Sequence, residues 1–217
     1  MITWITGWPH NGSTIVRQIM KDSLGLKTYS VYPEPKFEYL FGDQAITFGE
    51  AWQNDPQLRL EYYYDRPEMY YIKTHEPPIK GDDSPAIYVV RDGRDSVSAL
   101  SHFWKMPVRH IIGGLRNRFG GLSGHYNAWD PENRKNTIVI KFEDMVERPN
   151  DIVDALVEFL DAEKIADYVD NFDEDAKKWP QLFNDRIGGW KKTMTEADIK
   201  LFDKCHGKFM REVGYYE

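Results

Sequence analysis

Gly7-Trp8-Pro9-His10-Asn11-Gly12-Ser13-Thr14 places two glycines around a short turn and follows the second at once with two hydroxyl residues. Loops of the form G-x-x-x-x-G-K-[ST] wrap nucleotide phosphates in backbone N–H groups and in the start of the helix that follows. Here Thr14 holds the hydroxyl position, and Ser13 stands where the lysine of such a loop would reach the β- and γ-phosphates. The stretch therefore predicts a phosphate ligand without ordinary nucleoside-triphosphate chemistry. A glycine-containing turn before a helix is common, so its context decides. Residues 2–6 (I-T-W-I-T) are β-branched and aromatic and run into Gly7 and Pro9, the pattern of a buried strand. Beyond the loop, Ile15, Val16, Ile19, Met20 and Leu24 keep helical spacing and predict a helix over 13–24. Strand, glycine turn and helix in that order give the α/β setting an anion loop needs.

The same alternation continues down the chain. Strands are predicted over 69–72, 86–90 and 137–142, and helices over 95–105, 151–161 and 196–213, with Asn150 and Thr195 as N-caps of the last two. Strands alternating with helices predict a three-layer α/β fold, a central mostly parallel sheet flanked by helices. Residues 31–66 (rich in Pro, Tyr, Phe and Glu) and 104–136 (rich in Gly, Arg and aromatics) break the rhythm. Such insertions build ligand pockets at the carboxyl edge of these sheets.

The 217 residues read as a single domain, 1–217, large enough for a core without disulfides. Hydrophobic residues make up 41% and charged residues 29%, as in a soluble globular protein. The net charge of -7 argues against a nucleic-acid partner. The lone cysteine, Cys205, excludes an internal disulfide framework. No apolar run approaches the roughly 20 residues of a transmembrane segment, and no leader-like start is present. A cytoplasmic location is the expectation. Oligomeric state is not readable.

Two further segments carry chemistry. Tyr88-Val89-Val90-Arg91-Asp92-Gly93-Arg94-Asp95-Ser96-Val97-Ser98 is an apolar strand that empties into arginines and hydroxyls at a helix start. An arginine fork suits a phosphate, although Arg91 and Arg94 could equally pair with Asp92 or Asp95. Tyr71-Ile72-Lys73-Thr74-His75-Glu76-Pro77-Pro78 sets a lysine and a histidine two residues apart at a strand end. Residues so spaced share a face, and a histidine is a competent base near neutral pH. His102, His110, His125 and His206 show no comparable context. No metal-ligand cluster is visible.

Together these segments resemble the PAPS-dependent sulfotransferases, where PAPS is 3′-phosphoadenosine 5′-phosphosulfate. The family's loop Y-P-K-S-G-T-T-W aligns with Trp8 to Ile15, and its K-T-H is matched by Lys73-Thr74-His75. Its R-D-x-R-D-x-x-x-S-x-x-H-F runs from Arg91 to Phe103, with Ala99 in place of the serine. Its Y-E-D-x-x-x-x-P resembles Phe142 to Pro149, and R-K-G-x-x-G-D-W-K is shortened to Arg186-Ile187-Gly188-Gly189-Trp190-Lys191. The matches keep family order over nearly the whole chain.

The resemblance implies a P-loop-like sulfotransferase fold that moves a sulfuryl group from PAPS to an acceptor hydroxyl, leaving PAP, with no metal. The acceptor would be a small molecule or a glycan. Pro9, His10, Asn11, Gly12, Ser13, Thr14 and Ile15 would form the 5′-phosphosulfate side of the site. Arg91, Ser98 and Arg186 would hold the 3′-phosphate, with Ser98 preferred to Ser101 as the substitute for the missing serine. Gly188 and Lys191 belong to the same C-terminal element, and Phe142 and Trp190 are the aromatic candidates for the adenine. His75 would act as base, Lys73 would stabilise charge, and His10 would replace the loop lysine as a protonated imidazole. A non-catalytic nucleotide-binding protein of this fold and a P-loop kinase are the alternatives.

Overall fold

The computed structural model describes residues 1–32, 63–64, 66–114, 119–170, 177 and 187–216. Arg186 and most of the aromatic-rich 31–66 region lie outside the described residues. Five strands form one sheet: β1 (Ile2–Thr6), β2 (Thr28–Ser30), β3 (Tyr70–Lys73), β4 (Ala86–Val90) and β5 (Thr137–Lys141). Their order is β2-β3-β1-β4-β5 and every pairing is parallel. The helices are α1 (Ser13–Leu24), α2 (Gly93–Trp104), α3 (Val108–Ile112), α4 (Leu122–Trp129), α5 (Phe142–Glu147), α6 (Pro149–Leu160), α7 (Trp190–Thr193) and α8 (Glu196–Glu212).

Both sheet faces are covered, which is why β1 and β4 are buried at every position and β4 reads as an unbroken apolar run. Side chains alternate between the two faces of a strand. Ala86, Tyr88 and Val90 pack in one apolar cluster with Val97, Leu122, Trp129, Phe202 and Phe209, from α2, α4 and α8. Ile87 and Val89 pack in the other with Val16, Ile19, Met20, Val153 and Leu156, from α1 and α6. Burying each such aliphatic side chain contributes about 1.5–3 kcal/mol. The expected three-layer parallel architecture is the one observed.

Several boundaries differ from the sequence expectation. β2 was not expected: T-Y-S is too short and polar to read as a strand, and it exists by pairing with β3. β3 begins and ends one residue later than expected, which makes Lys73 its last residue, level with Ile5 of β1. β5 stops at Lys141, and Phe142 opens α5. Asn150 is not an N-cap, because Pro149 takes the first helical turn of α6, where its missing N–H costs nothing. The Asn150 Oδ1 instead accepts the Tyr168 N–H at 2.9 Å. The 104–136 stretch contributes α3 and α4.

Thr195 does cap α8: its hydroxyl accepts the Asp198 N–H at 3.2 Å while the Asp198 carboxylate accepts the Thr195 N–H at 3.0 Å. Thr195→Ala should cost about 1 kcal/mol of stability, read as an earlier urea midpoint with an unchanged denaturant slope.

Candidate active site

In a parallel sheet all carboxyl ends open on one edge, and the order β3-β1-β4 sets three of them side by side. That edge therefore gathers Lys73 and His75 after β3, residues 7–12 after β1, and Arg91 after β4. Phe142, following β5, closes the row.

The loop is held by Asn11. Its Nδ2 donates to Thr6 O at 3.2 Å and Val89 O at 3.0 Å, and its Oδ1 accepts the Ser13 N–H at 3.1 Å. The amide thus ties the ends of β1 and β4 to the first turn of α1. Gly7 has φ 144°, and a Cβ there would run into the Asn11 amide and Val89 O. Gly12 has φ 104°, and a Cβ would lie 2.5 Å from Phe142 Cδ2. His10 also sits in the left-handed region, at φ 62°. Trp8 is buried, with its Nε1–H on Gly120 O at 3.0 Å. Pro9 is buried beside it, Thr14 is half-buried, and Ile15 packs on the cluster beneath α1.

His75 faces this loop. Its Nδ1 lies 2.8 Å from Gly7 O. A carbonyl only accepts, so Nδ1 carries the proton and Nε2 keeps the lone pair. The Tyr32 ring stacks on the imidazole at 5.7 Å, and Phe119 meets it edge-on at 5.8 Å. Lys73 is 8% exposed, with Nζ 5.8 Å from the Tyr32 ring centre. Burial first, then the Lys73 charge, hold the His75 pKa well below its ordinary value. His10 packs edge-on against Phe103 at 5.3 Å. Burial, then Arg91 and Lys73, lower its pKa to about 3. Burial first, and then the two neighbouring cations, thus disfavour the protonated imidazole that the resemblance implies for His10.

Arg91 closes the other side. Its Nη1 donates to His10 O at 3.0 Å, and its guanidinium lies 4.1 Å from the Phe142 ring centre. Of the two candidate serines, Ser101 spends its hydroxyl on Met106 O at 2.5 Å. Ser98 is 6% exposed, and its Oγ has no hydrogen-bond partner among the described residues. A buried hydroxyl left so carries a desolvation cost that a ligand oxygen would relieve. The C-terminal element is tied to the same helix. The Asp95 carboxylate accepts the N–H groups of Gly188 at 2.8 Å and Trp190 at 2.9 Å. Trp190 then stacks on Arg94 at 4.1 Å, while Lys191 is exposed.

The structure thus brings together Lys73, His75, His10, the loop, Arg91 and Phe142. Gly188 and Trp190 join them at the start of α2 through Asp95. Arg186 lies outside the described residues. Sequence reasoning did not single out Asn11 as a brace, Asp95 as an anchor, or His125, whose Nε2 lies 3.1 Å from His75 O. Only the i, i+4 spacing of His125 and Trp129 on one short helix hinted at the last. Among the described residues, no helix is long and apolar enough to cross a membrane, and no group of three or more His, Cys, Asp or Glu could hold a metal.

A family model described as "Sulfotransferase domain" matches residues 2–214. The mouse protein Sulfotransferase 1A1 is 26% identical over 192 residues, 70% of this chain and 66% of its own. The zebrafish (Danio rerio) Cytosolic sulfotransferase 1 is 26% identical over 182 residues, 64% of this chain and 60% of its own. The chain thus spans just under two thirds of the length of these curated relatives. Among solved structures it is similar to mouse sulfotransferase SULT7A1 complexed with PAP, with TM-score 0.67 and 17% identity, over 99% of this chain and 86% of that one. It is also similar to retinol dehydratase in complex with androsterone and inactive cofactor PAP, with TM-score 0.57 and 14% identity, over 97% and 81%. These two likenesses concern the fold.

The depressed histidines make acid stability a test of this geometry. Between the ordinary value of 6.5 and the folded value of about 3, the unfolded chain binds a proton at residue 10 that the folded chain refuses. Stability contributed this way is present above pH 6.5 and is lost as pH falls, by at most about 1.4 kcal/mol per pH unit for one histidine. His10→Gln should flatten the loss between pH 6.5 and 5 in urea denaturation of the ligand-free protein. An unchanged slope would mean that residue 10 is solvated.

Proposed function

The chain belongs to the sulfotransferase domain family, and on that premise we propose that it transfers a sulfuryl group from PAPS to an acceptor hydroxyl, releasing a sulfate ester and PAP. The observation that carries the proposal is one sheet edge where an anion loop, a buried arginine and a histidine with an adjacent lysine lie side by side, with the unpartnered Ser98 hydroxyl on the helix that follows the arginine. Both structural relatives are complexes with PAP. The residues fit such a donor: the loop beside Ser13 and Thr14 suits its 5′ side, and the Ser98 hydroxyl and Arg91 suit a second phosphate. PAPS supplies the sulfuryl group when bound.

Under this proposal each residue has a defined task. His75, with Nδ1–H on Gly7 O, would present Nε2 to the acceptor and take its hydroxyl proton as the acceptor O–S bond forms and the S–O bond to the departing PAP breaks, worth roughly 10²–10⁴-fold. Its depressed pKa keeps that nitrogen unprotonated at neutral pH. Lys73 and Arg91 hold positive charge in a poorly solvated site, where it stabilises developing negative charge more than it would in water. His10 is a neutral hydrogen-bonding group at the loop, and Phe142 and Trp190 are apolar surfaces for a base. Sulfuryl transfer, like phosphoryl transfer, needs in-line positioning and charge stabilisation more than covalent help. Tyr32 and Phe119 flank His75 and would border the acceptor, a small molecule or a glycan. A cytoplasmic setting goes with this reading, supported by the cytosolic relative and the single cysteine.

Two measurements test it. PAP at a hundred times its dissociation constant should stabilise the protein by about 2.7 kcal/mol, with little effect from a nucleotide lacking the 3′-phosphate. Ser98→Ala should weaken PAP about tenfold or more and Ser101→Ala should not, since a hydrogen bond to a charged group is worth about 1.5–3 kcal/mol. Equal stabilisation by ATP contradicts the proposal. Separately, His75→Ala should abolish transfer across a panel of hydroxyl acceptors while PAP affinity stays within about twofold. PAP binding without transfer by the unaltered protein would identify a non-catalytic nucleotide-binding protein.

A further inference from the structure

His75 lies beyond the end of β3, so the strand ladder does not by itself hold it. Its own N–H and carbonyl are nevertheless held, as are the N–H groups of the residues on either side. Thr74 N–H donates to Ile5 O at 2.9 Å, and Glu76 N–H donates to Thr74 Oγ1 at 3.0 Å. The His75 N–H donates to Tyr32 Oη at 2.7 Å. The carbonyls are taken by α4: His125 Nε2 lies 3.1 Å from His75 O, and Trp129 Nε1–H donates to Glu76 O at 3.0 Å. His125 and Trp129 are i and i+4, on one face of that helix. α4 therefore presents two ring N–H donors to two consecutive carbonyls.

The tautomer of His125 is settled from both ends. His75 O only accepts, so Nε2 of His125 carries the proton and Nδ1 accepts. The group 2.9 Å from Nδ1 is Tyr88 Oη, which donates its hydroxyl proton. Tyr88 belongs to the middle of β4, and both side chains are 2% exposed, so no solvent competes. Loss of the Tyr88 hydroxyl would leave Nδ1 as a buried acceptor without a donor and the ring held from one side only, while the His75 carbonyl keeps the proton on Nε2.

We infer that His125, oriented by Tyr88, is a positioning residue that fixes the backbone of His75 and thereby the direction of its Nε2. The inference rests on the reading of His75 as the base. With the backbone clamped, the bond from Nδ1 to Gly7 O selects one ring orientation, and a drift of about 1 Å in such a group can cost on the order of a hundredfold in rate. A residue that merely filled the core would act through its volume. A clamp acts through its donor.

Three variants separate these roles: His125→Leu keeps volume and loses the donor, His125→Gln offers an amide with donor and acceptor, and Tyr88→Phe leaves the imidazole and its Nε2–H but removes the donor that orients the ring. The primary readout is nitrogen NMR of the histidine rings in the ligand-free full chain. The unaltered protein and His125→Gln should show His75 as a single Nδ1–H tautomer. His125→Leu, and to a lesser degree Tyr88→Phe, should show it exchanging between tautomers, with PAP affinity unchanged within about twofold. Turnover with a hydroxyl acceptor should follow the NMR, falling about tenfold or more for Leu and recovering for Gln. A His75 signal that is unchanged in His125→Leu overturns the inference, as does equal behaviour of the Leu and Gln variants. If instead His75→Ala retains transfer, the base reading fails, whatever the NMR shows of the clamp.

Discussion

The Asn11 carboxamide is the interaction on which the rest of the site depends. It joins Thr6 O, at the end of β1, to Val89 O, just past the last residue of β4 that pairs with β1, and returns a bond to the first turn of α1. A single amide supplies both donors. Because the amide must pass under residue 7, no Cβ can be there, and because the turn then closes against Phe142, none can be at residue 12. The two glycines that make the loop recognisable are thus consequences of a close approach on either side of it. The loop is assembled before any ligand arrives, so binding has little ordering entropy to overcome.

Electrostatics follows from the same crowding. Lys73 and Arg91 come from strands on opposite sides of β1, and both side chains are largely buried. Their charges, with burial, suppress protonation of His10 and His75. Two neutral imidazoles among fixed cations are suited to a polyanionic ligand: the cations supply attraction that does not vary near neutral pH, and the imidazoles retain the capacity to accept a proton. Arg91 is tied into the loop by its donation to the His10 carbonyl.

What was legible in the sequence divides along physical lines. β1, α1 and β4 were read to the residue because local pattern and tertiary burial agree there. β2 was not, since three residues held only by pairing with β3 carry no local signal. Phe142 belongs to a helix rather than a strand because Lys141 ends its pairing with Val90 at the sheet edge. In the site, Lys73, His75 and Arg91 were recognisable from spacing and strand ends. The depressed pKa of His10 was not, because it depends first on burial and then on two cations brought in by neighbouring strands. The choice of Ser98 over Ser101 depends on a carbonyl at Met106 that consumes the second hydroxyl, a contact made after the helix has ended.

A more general asymmetry underlies these differences. Groups that can touch a ligand sit where strands end, and strand ends announce themselves by a change from apolar to polar residues. Groups that hold those ligand-facing residues are buried, neutral and drawn from elsewhere in the fold, so their sequence context resembles any core. His125 shows this most clearly. Its neighbours Tyr126 and Trp129 are core residues, and only the Tyr88 hydroxyl on one side and the His75 carbonyl on the other distinguish it from them. An imidazole there costs more to bury than a leucine would, and only its two directed hydrogen bonds offset that cost. A polar ring retained in such a place, with both nitrogens spent on fixed partners, is best explained by the geometry it imposes on the residue it holds.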